Sequence, residues 1–183
     1  MLFRSHLTSV RRATRALNEL KNAFVDWNEV RISHPREVAG AMSSADWALE
    51  AGEQIVWLLR ELYDVHNRAD LDFLDELTTA EARSCLRGLP MVDRTLADEV
   101  LLMSLEAPVL PCPDATVRMC YRLGLLENDR NTQKNQRTLQ KLFDAEHYVS
   151  LYLYFCDMAE TACLPDVPEC GECTMGQSCP SRN

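Results

Sequence analysis

The sequence predicts an all-α protein. Glycine is scarce, at 6 of 183 residues, and β-branched residues are sparse, which disfavours all-β and doubly wound architectures. Apolar residues recur at helical spacing along most of the chain, and no segment alternates as a strand does. Apolar residues make up 46% and charged residues 26%, so the chain can bury a core, and disorder and low complexity are excluded.

The elements follow in order. Residues 9–24 read as a basic amphipathic helix, with Val10, Ala13, Leu17, Leu20 and Phe24 on one stripe. Asp26-Trp27-Asn28 reads as its break. Pro35-Arg36-Glu37 opens a short helix that ends near Met42, because proline suits a first helical turn. Residues 45–66 form a long helix with Trp47, Ile55, Leu58, Leu59 and Leu62 near one stripe, and Leu71, Leu74 and Leu77 mark a short one. Thr79-Ala80-Glu81 starts a helix that stops at Gly88-Leu89-Pro90, and 94–104 is helical. Pro111-Cys112-Pro113 interrupts the chain. Asp114 is expected to cap a helix over 115–123, and the last two helices span 132–143 and 146–162.

Net charge is −9, which taken alone disfavours a nucleic-acid partner. Its distribution is uneven. Residues 1–36 carry 7 bases against 3 acids, whereas 144–183 carry 1 base against 7 acids. A polyanion would therefore meet the N-terminal segment or the charge-balanced stretch 91–143. No apolar run reaches the roughly 18 residues of a membrane span. The start, Met1-Leu2-Phe3-Arg4-Ser5-His6, lacks an apolar signal core. The expectation is an intracellular, cytoplasmic monomer, nucleoid-associated in a prokaryote, with no membrane partner.

Eight cysteines divide into two groups. Cys85, Cys112, Cys120 and Cys156 are scattered, and Cys85, Cys120 and Cys156 fall within helical patterns, where a thiol behaves as a small hydrophobe. Cys163, Cys170, Cys173 and Cys179 crowd the C-terminus as C-x6-C-x2-C-x5-C. Two disulfides, a zinc site or an iron–sulfur cluster are open to these four. Structural zinc sites usually pair two close C-x2-C hooks. One close pair with a longer reach on either side favours a cubane, whose irons take thiolates from different directions.

Three segments together resemble the endonuclease III family of helix-hairpin-helix DNA glycosylases. The cysteine spacing matches that family's [4Fe–4S] loop. Leu89-Pro90-Met91-Val92-Asp93-Arg94-Thr95-Leu96-Ala97 lies over the hairpin pattern L-P-G-V-G-R-K-T-A. Pro113-Asp114-Ala115-Thr116-Val117-Arg118, followed by Arg122-Leu123-Gly124-Leu125, lies over V-D-T-H-V-x-R and R-L-G-L. A weaker likeness runs through residues 3–60. The resemblance implies a two-lobed fold: a helical-barrel lobe, 10–110, ending in the hairpin motif at about 79–105, and a cluster lobe built from 1–9 and 111–183. It implies an active-site cleft between the lobes, with Asp114 at its edge. It also implies a [4Fe–4S] cofactor on Cys163, Cys170, Cys173 and Cys179, and base excision from lesion-bearing or mismatched double-stranded DNA.

Asp114 would then stabilise positive charge on the sugar as a flipped-out base leaves. Thr95 stands where bifunctional members carry a lysine. A lysine amine can form a Schiff base with the sugar and cleave the strand; threonine cannot. The expectation is a monofunctional N-glycosylase. His6, Arg11, Arg12, Trp47, Met91, Asp93 and Arg94 are the candidate DNA contacts. His6 lies over the family's gap-filling glutamine, and Trp47 lies near its intercalating loop. Met91 and Asp93 replace the two hairpin glycines, and Asp93 brings a negative charge towards a phosphate. From Asp157 to Cys179 there are five acids and no bases, where the family's loop carries phosphate-binding cations. These departures keep a second reading open: a non-catalytic iron–sulfur paralogue that binds a nucleic acid or a protein partner.

Overall fold

The computed structural model describes residues 10–42 and 47–182, with side chains from residue 14 onward. His6 and the side chains of Arg11 and Arg12 lie outside that description. Among the described residues the regular structure is entirely helical, as the sequence predicts. The helices are α1 (Val10–Ala23), α2 (Trp27–Ile32), α3 (Pro35–Ala41), α4 (Ala48–His66), α5 (Thr79–Gly88), α6 (Arg94–Ser104), α7 (Asp114–Arg122), α8 (Gln133–Leu142) and α9 (Tyr148–Thr161). Single 3-10 turns occupy Asp72–Glu76, Ala145–His147 and Gly176–Ser178. No described helix is long and apolar enough to cross a membrane. The chain divides into two compact units, one ending at Asp93 and one beginning at Arg94.

In the first unit, α1 ends before Asp26 as expected, but Asp26-Trp27-Asn28 also opens a short helix, α2, that the sequence reading did not anticipate. Asp26 is the helix cap: its carboxylate accepts from the Glu29 amide at 2.8 Å, and the Glu29 carboxylate accepts from the Val25 amide at 2.6 Å. The apparent breaker satisfies free amides at a helix start. Thr78 does the same for α5 in a reciprocal capping box with Glu81.

The core of this unit gathers Ala16, Leu20, Val30, Val38, Met42, Ala51 and Val56, with Phe24, Trp27 and Trp47 packed against it. Small residues let α4 press close to α3. A Cβ placed on Gly52 would stand 2.6 Å from the Pro35 carbonyl oxygen and 3.0 Å from the Ala39 amide nitrogen. Arg60 of α4 donates to the Arg31 carbonyl at 3.1 Å, which satisfies a carbonyl at the end of α2. Arg31 itself lies over the Tyr63 ring at 3.9 Å.

The second unit packs α9 on α7 and α6. Its core includes Leu102, Leu110, Cys112, Val117, Met119, Cys120, Leu139, Tyr148, Phe155 and Cys163. Helix α7 begins at Asp114 itself, with Pro113 in the cap position, so Asp114 is the first helical residue and not the cap expected from the sequence. It ends in a Schellman motif. The Leu125 amide bonds the Cys120 carbonyl at 2.9 Å, the Gly124 amide bonds the Tyr121 carbonyl at 2.9 Å, and Gly124 takes φ +75°.

The helix crossing gives a paired prediction. Gly52→Ala is expected to destabilise the protein by about 1–3 kcal/mol, because the obstructing atoms are backbone. Gly40→Ala, exposed in α3 with nothing near its would-be Cβ, is expected to stabilise by about 0.5–1 kcal/mol. Urea unfolding of both variants checks the pair.

Candidate active site and cysteine centre

Asp114 opens α7 as an exposed side chain. Anionic side chains are favoured there by the helix dipole and the free amides of the first turn. One carboxylate oxygen is held: Asn131 Nδ2 donates to Asp114 Oδ1 at 2.9 Å. The Asn131 carbonyl oxygen in turn accepts from Arg94 Nη2. Arg94, read from the sequence as a phosphate contact, thus has a protein partner, and Asn131 is a residue the sequence reading missed. Asn131 lies in a polar loop between α7 and α8 with no motif to mark it.

Helix α6 is joined to α8 itself inside the unit. Asp98 is 1% exposed, and its carboxylate accepts from Gln136 Nε2 at 2.6 Å. The same nitrogen donates to the Leu110 carbonyl at 3.0 Å. A buried carboxylate is tolerated only when hydrogen-bonded. Thr95 is 4% exposed and belongs to the interior of this unit. Two residues beyond Asp114, the hydroxyl of fully buried Thr116 has no hydrogen-bond partner.

In the first unit, the Val92 amide closes a turn on the Leu89 carbonyl at 3.3 Å, with Pro90 in its second place. Met91, in the third place, takes φ +65°. That is the backbone region the glycine of the resembled pattern would adopt freely and a methionine rarely enters. Met91 and Asp93 are exposed. Trp47 is half-buried against the first unit's core, and its indole nitrogen is buried without a hydrogen-bond partner among the described residues.

The C-terminal cysteines leave α9 on a chain of tight turns. The Cys163 amide bonds the Met158 carbonyl at 2.6 Å, the Glu169 amide the Ala162 carbonyl at 2.8 Å, and the Gly176 amide the Cys173 carbonyl at 2.9 Å. Two arginines of α7 fix the start of this loop. Arg118 donates to the carbonyls of Ala159 at 3.2 Å and Cys163 at 2.9 Å. Arg122 donates to the carbonyls of Leu164 at 2.5 Å and Pro165 at 2.7 Å, and stands 3.4 Å from Cys163 Sγ. The Cys179 thiol donates to the Arg122 carbonyl at 3.3 Å.

None of the eight cysteines forms a disulfide in this structure. Cys163, Cys170, Cys173 and Cys179 line one recess, walled by Met119, Leu123, Ala162 and Pro168. A Cβ on Gly176 would reach within 2.5 Å of the Cys170 carbonyl oxygen, so the recess needs glycine there. Four thiolates on one zinc, at about 2.3 Å each, stand about 3.8 Å apart. Among the described residues, which include all four cysteines, one set of three or more ligand atoms lies within 4.8 Å of one another, and it is Asp144, Glu146 and His147.

The scattered cysteines are chemically different. Burial pushes the Cys112 and Cys120 thiols up to about 12. Both are therefore neutral near pH 7.

No family model matches the sequence, and no curated protein is similar to it at a significant level. Solved structures are similar in fold. An endonuclease III trapped as a covalent intermediate with DNA, in an estranged-adenine complex, superposes with a TM-score of 0.72 at 18% identity, covering 94% of this chain and 77% of that one. A non-covalent endonuclease III–DNA complex gives 0.69 at 19%, covering 91% and 73%. A thermostable thymine-DNA glycosylase gives 0.74 at 14%, covering 99% and 80%. The fold is that of the helix-hairpin-helix DNA glycosylases.

The thiol assignment predicts a pH response. A thiol whose folded value is raised contributes stability that is fully present below the unfolded value near 9 and is lost as pH rises towards about 12. Native protein at pH 8 is expected to leave Cys112 and Cys120 unalkylated by iodoacetamide, while unfolded protein reacts at both. Peptide mass spectrometry reads the difference.

Proposed function

We propose that this protein is a monofunctional DNA N-glycosylase that removes a damaged or mismatched base through Asp114. Within that reading, Cys163, Cys170, Cys173 and Cys179 hold a [4Fe–4S] cluster. The observation that carries the function is the Asp114 carboxylate at the start of α7, fixed through one oxygen by Asn131. The glycosylase fold supports it. The division into a hairpin lobe at 10–110 and a cluster lobe at 1–9 with 111–183 belongs to the same reading.

The chemistry asked of the chain is modest. The target nucleotide leaves the stack, which costs a few kcal/mol and least at a mismatch or lesion. As the C–N glycosidic bond breaks, its electron pair departs with the base and positive charge grows on the sugar. The Asp114 carboxylate stabilises that charge and accepts a proton from the water that adds to the sugar carbon. The departing base takes its proton from solvent. Thr95 offers no amine and lies in the interior, so no Schiff base forms at that position. When bound, the cluster would supply iron–thiolate bonds that tie the four loop cysteines together, and an electron couple whose potential depends on surrounding hydrogen bonds.

Met91, Asp93, Arg94 and Trp47, with His6, Arg11 and Arg12, are the proposed DNA contacts. Arg15, exposed and paired with Glu19 at 3.0 Å, adds to the basic side of α1. Phosphate binding is expected to be weak, because the cysteine loop is acidic and Asp93 flanks the hairpin turn. The competing reading, a non-catalytic paralogue, is favoured by the same two charges.

Two experiments decide. Anaerobically purified protein is expected to be brown with about four irons per chain; colourless protein with stoichiometric zinc overturns the cluster. On duplexes carrying deaminated, oxidised, alkylated and mismatched bases, wild type is expected to release a base that hot alkali reveals as an abasic site. Asp114→Asn is expected to lower release by about 100-fold or more with duplex affinity retained, and borohydride is expected to trap no covalent adduct. Release from no duplex, with no preference for lesions, gives the function to the non-catalytic reading.

A further inference from the structure

We propose that Asn131 is the positioning residue for the Asp114 carboxylate, with Arg94 fixing the Asn131 amide. This deepens, and rests on, the reading of Asp114 as the reacting carboxylate. Three segments of the second unit meet here: the first residue of α6, the first residue of α7 and the loop before α8. The chemistry of the partners dictates the orientation of the central group. A guanidinium only donates and an ionised carboxylate only accepts. An amide between them must turn its oxygen to Arg94 and its nitrogen to Asp114, which is the arrangement found.

The loop that carries Asn131 is itself held. Asn135 is 3% exposed, and its side-chain nitrogen donates to the Arg130 carbonyl at 2.8 Å, the Asn128 carbonyl at 3.1 Å and the Asn128 side-chain oxygen at 3.2 Å. The Arg130 amide donates to Asn128 Oδ1 at 3.1 Å, and Thr132 caps α8 through the Asn135 amide at 3.1 Å. The segment 128–132 is thus tied from inside the unit. Asn131 is presented from a supported loop, as a positioning residue must be.

The neutral amide also suits the reaction. A direct Arg94–Asp114 pair would engage both carboxylate oxygens in a fork and offset the charge the sugar needs. The amide engages Oδ1 alone and leaves Oδ2 to face the sugar, while the cation stands one group removed. The carboxylate keeps its direction.

The test uses the intact, iron-loaded chain. Asn131→Asp keeps the size of the side chain and the acceptor for Arg94, but removes the donor facing Asp114 and sets a second carboxylate against it, an effect that Asn131→Ala lacks. A merely structural role predicts retained activity. The positioning role predicts single-turnover base release slowed by about 100-fold, with duplex Kd within about twofold and melting unchanged. Asn131→Ala is expected to follow it. A second readout needs no activity. The Asn131 side-chain NH2 resonance, identified by its loss in Asn131→Asp, is expected to move in Asp114→Ala and in Arg94→Lys. Wild type that releases no base overturns the reading of Asp114. Wild type that is active, with a resonance unmoved in Asp114→Ala or an Asn131→Asp variant of normal rate, overturns the positioning role alone.

Discussion

The grip of Arg118 and Arg122 on the backbone carbonyls after α9 is the contact on which the second unit turns. Helices leave their last carbonyls without partners. Here the Ala159 carbonyl at the end of α9, and those of Cys163, Leu164 and Pro165 beyond it, are answered by two side chains one helical turn apart on α7. Hydrogen bonds from a charged donor contribute about 1.5–3 kcal/mol each. The same rigid helix carries Asp114 at its other end. The backbone position of Asp114 and the start of the cysteine loop are therefore tied to one element.

Much of this was legible in the sequence, for identifiable reasons. The α5 start was legible as Thr79-Ala80-Glu81, while its cap, Thr78 in a reciprocal box with Glu81, lies one residue before the stretch read. The spacing C-x6-C-x2-C-x5-C is itself sequence information, and the four cysteines line one recess. Helix α2 was misread because it has only six residues, too few to show a period, so its Asp26 cap looked like an ending. Asp114 was placed one residue out, as a cap, because Pro113 takes the cap position with no side chain to announce it.

Asn131 was invisible for a deeper reason. Its partners lie 17 and 37 residues before it, and the intervening sequence has no repeat or motif linking them. The buried Asp98–Gln136 pair is similar, because a charged residue in a helical pattern reads as surface until its partner is known. Long-range polar contacts are selected by the tertiary fold. A sequence reveals their donors and acceptors but not their pairing.

The Met91 turn has a wider consequence. Glycine enters the left-handed region without steric penalty; a methionine at φ +65° does not. The residue therefore supplies no preference for the shape it holds, and the shape must be imposed by its surroundings, by Pro90 before it and the closing bond from Val92 to Leu89. A turn specified from outside tolerates substitution at its centre. Sequence change at such a place is a poor measure of structural change, and a pattern search keyed to the two glycines would pass over a hairpin whose backbone still turns as a glycine would.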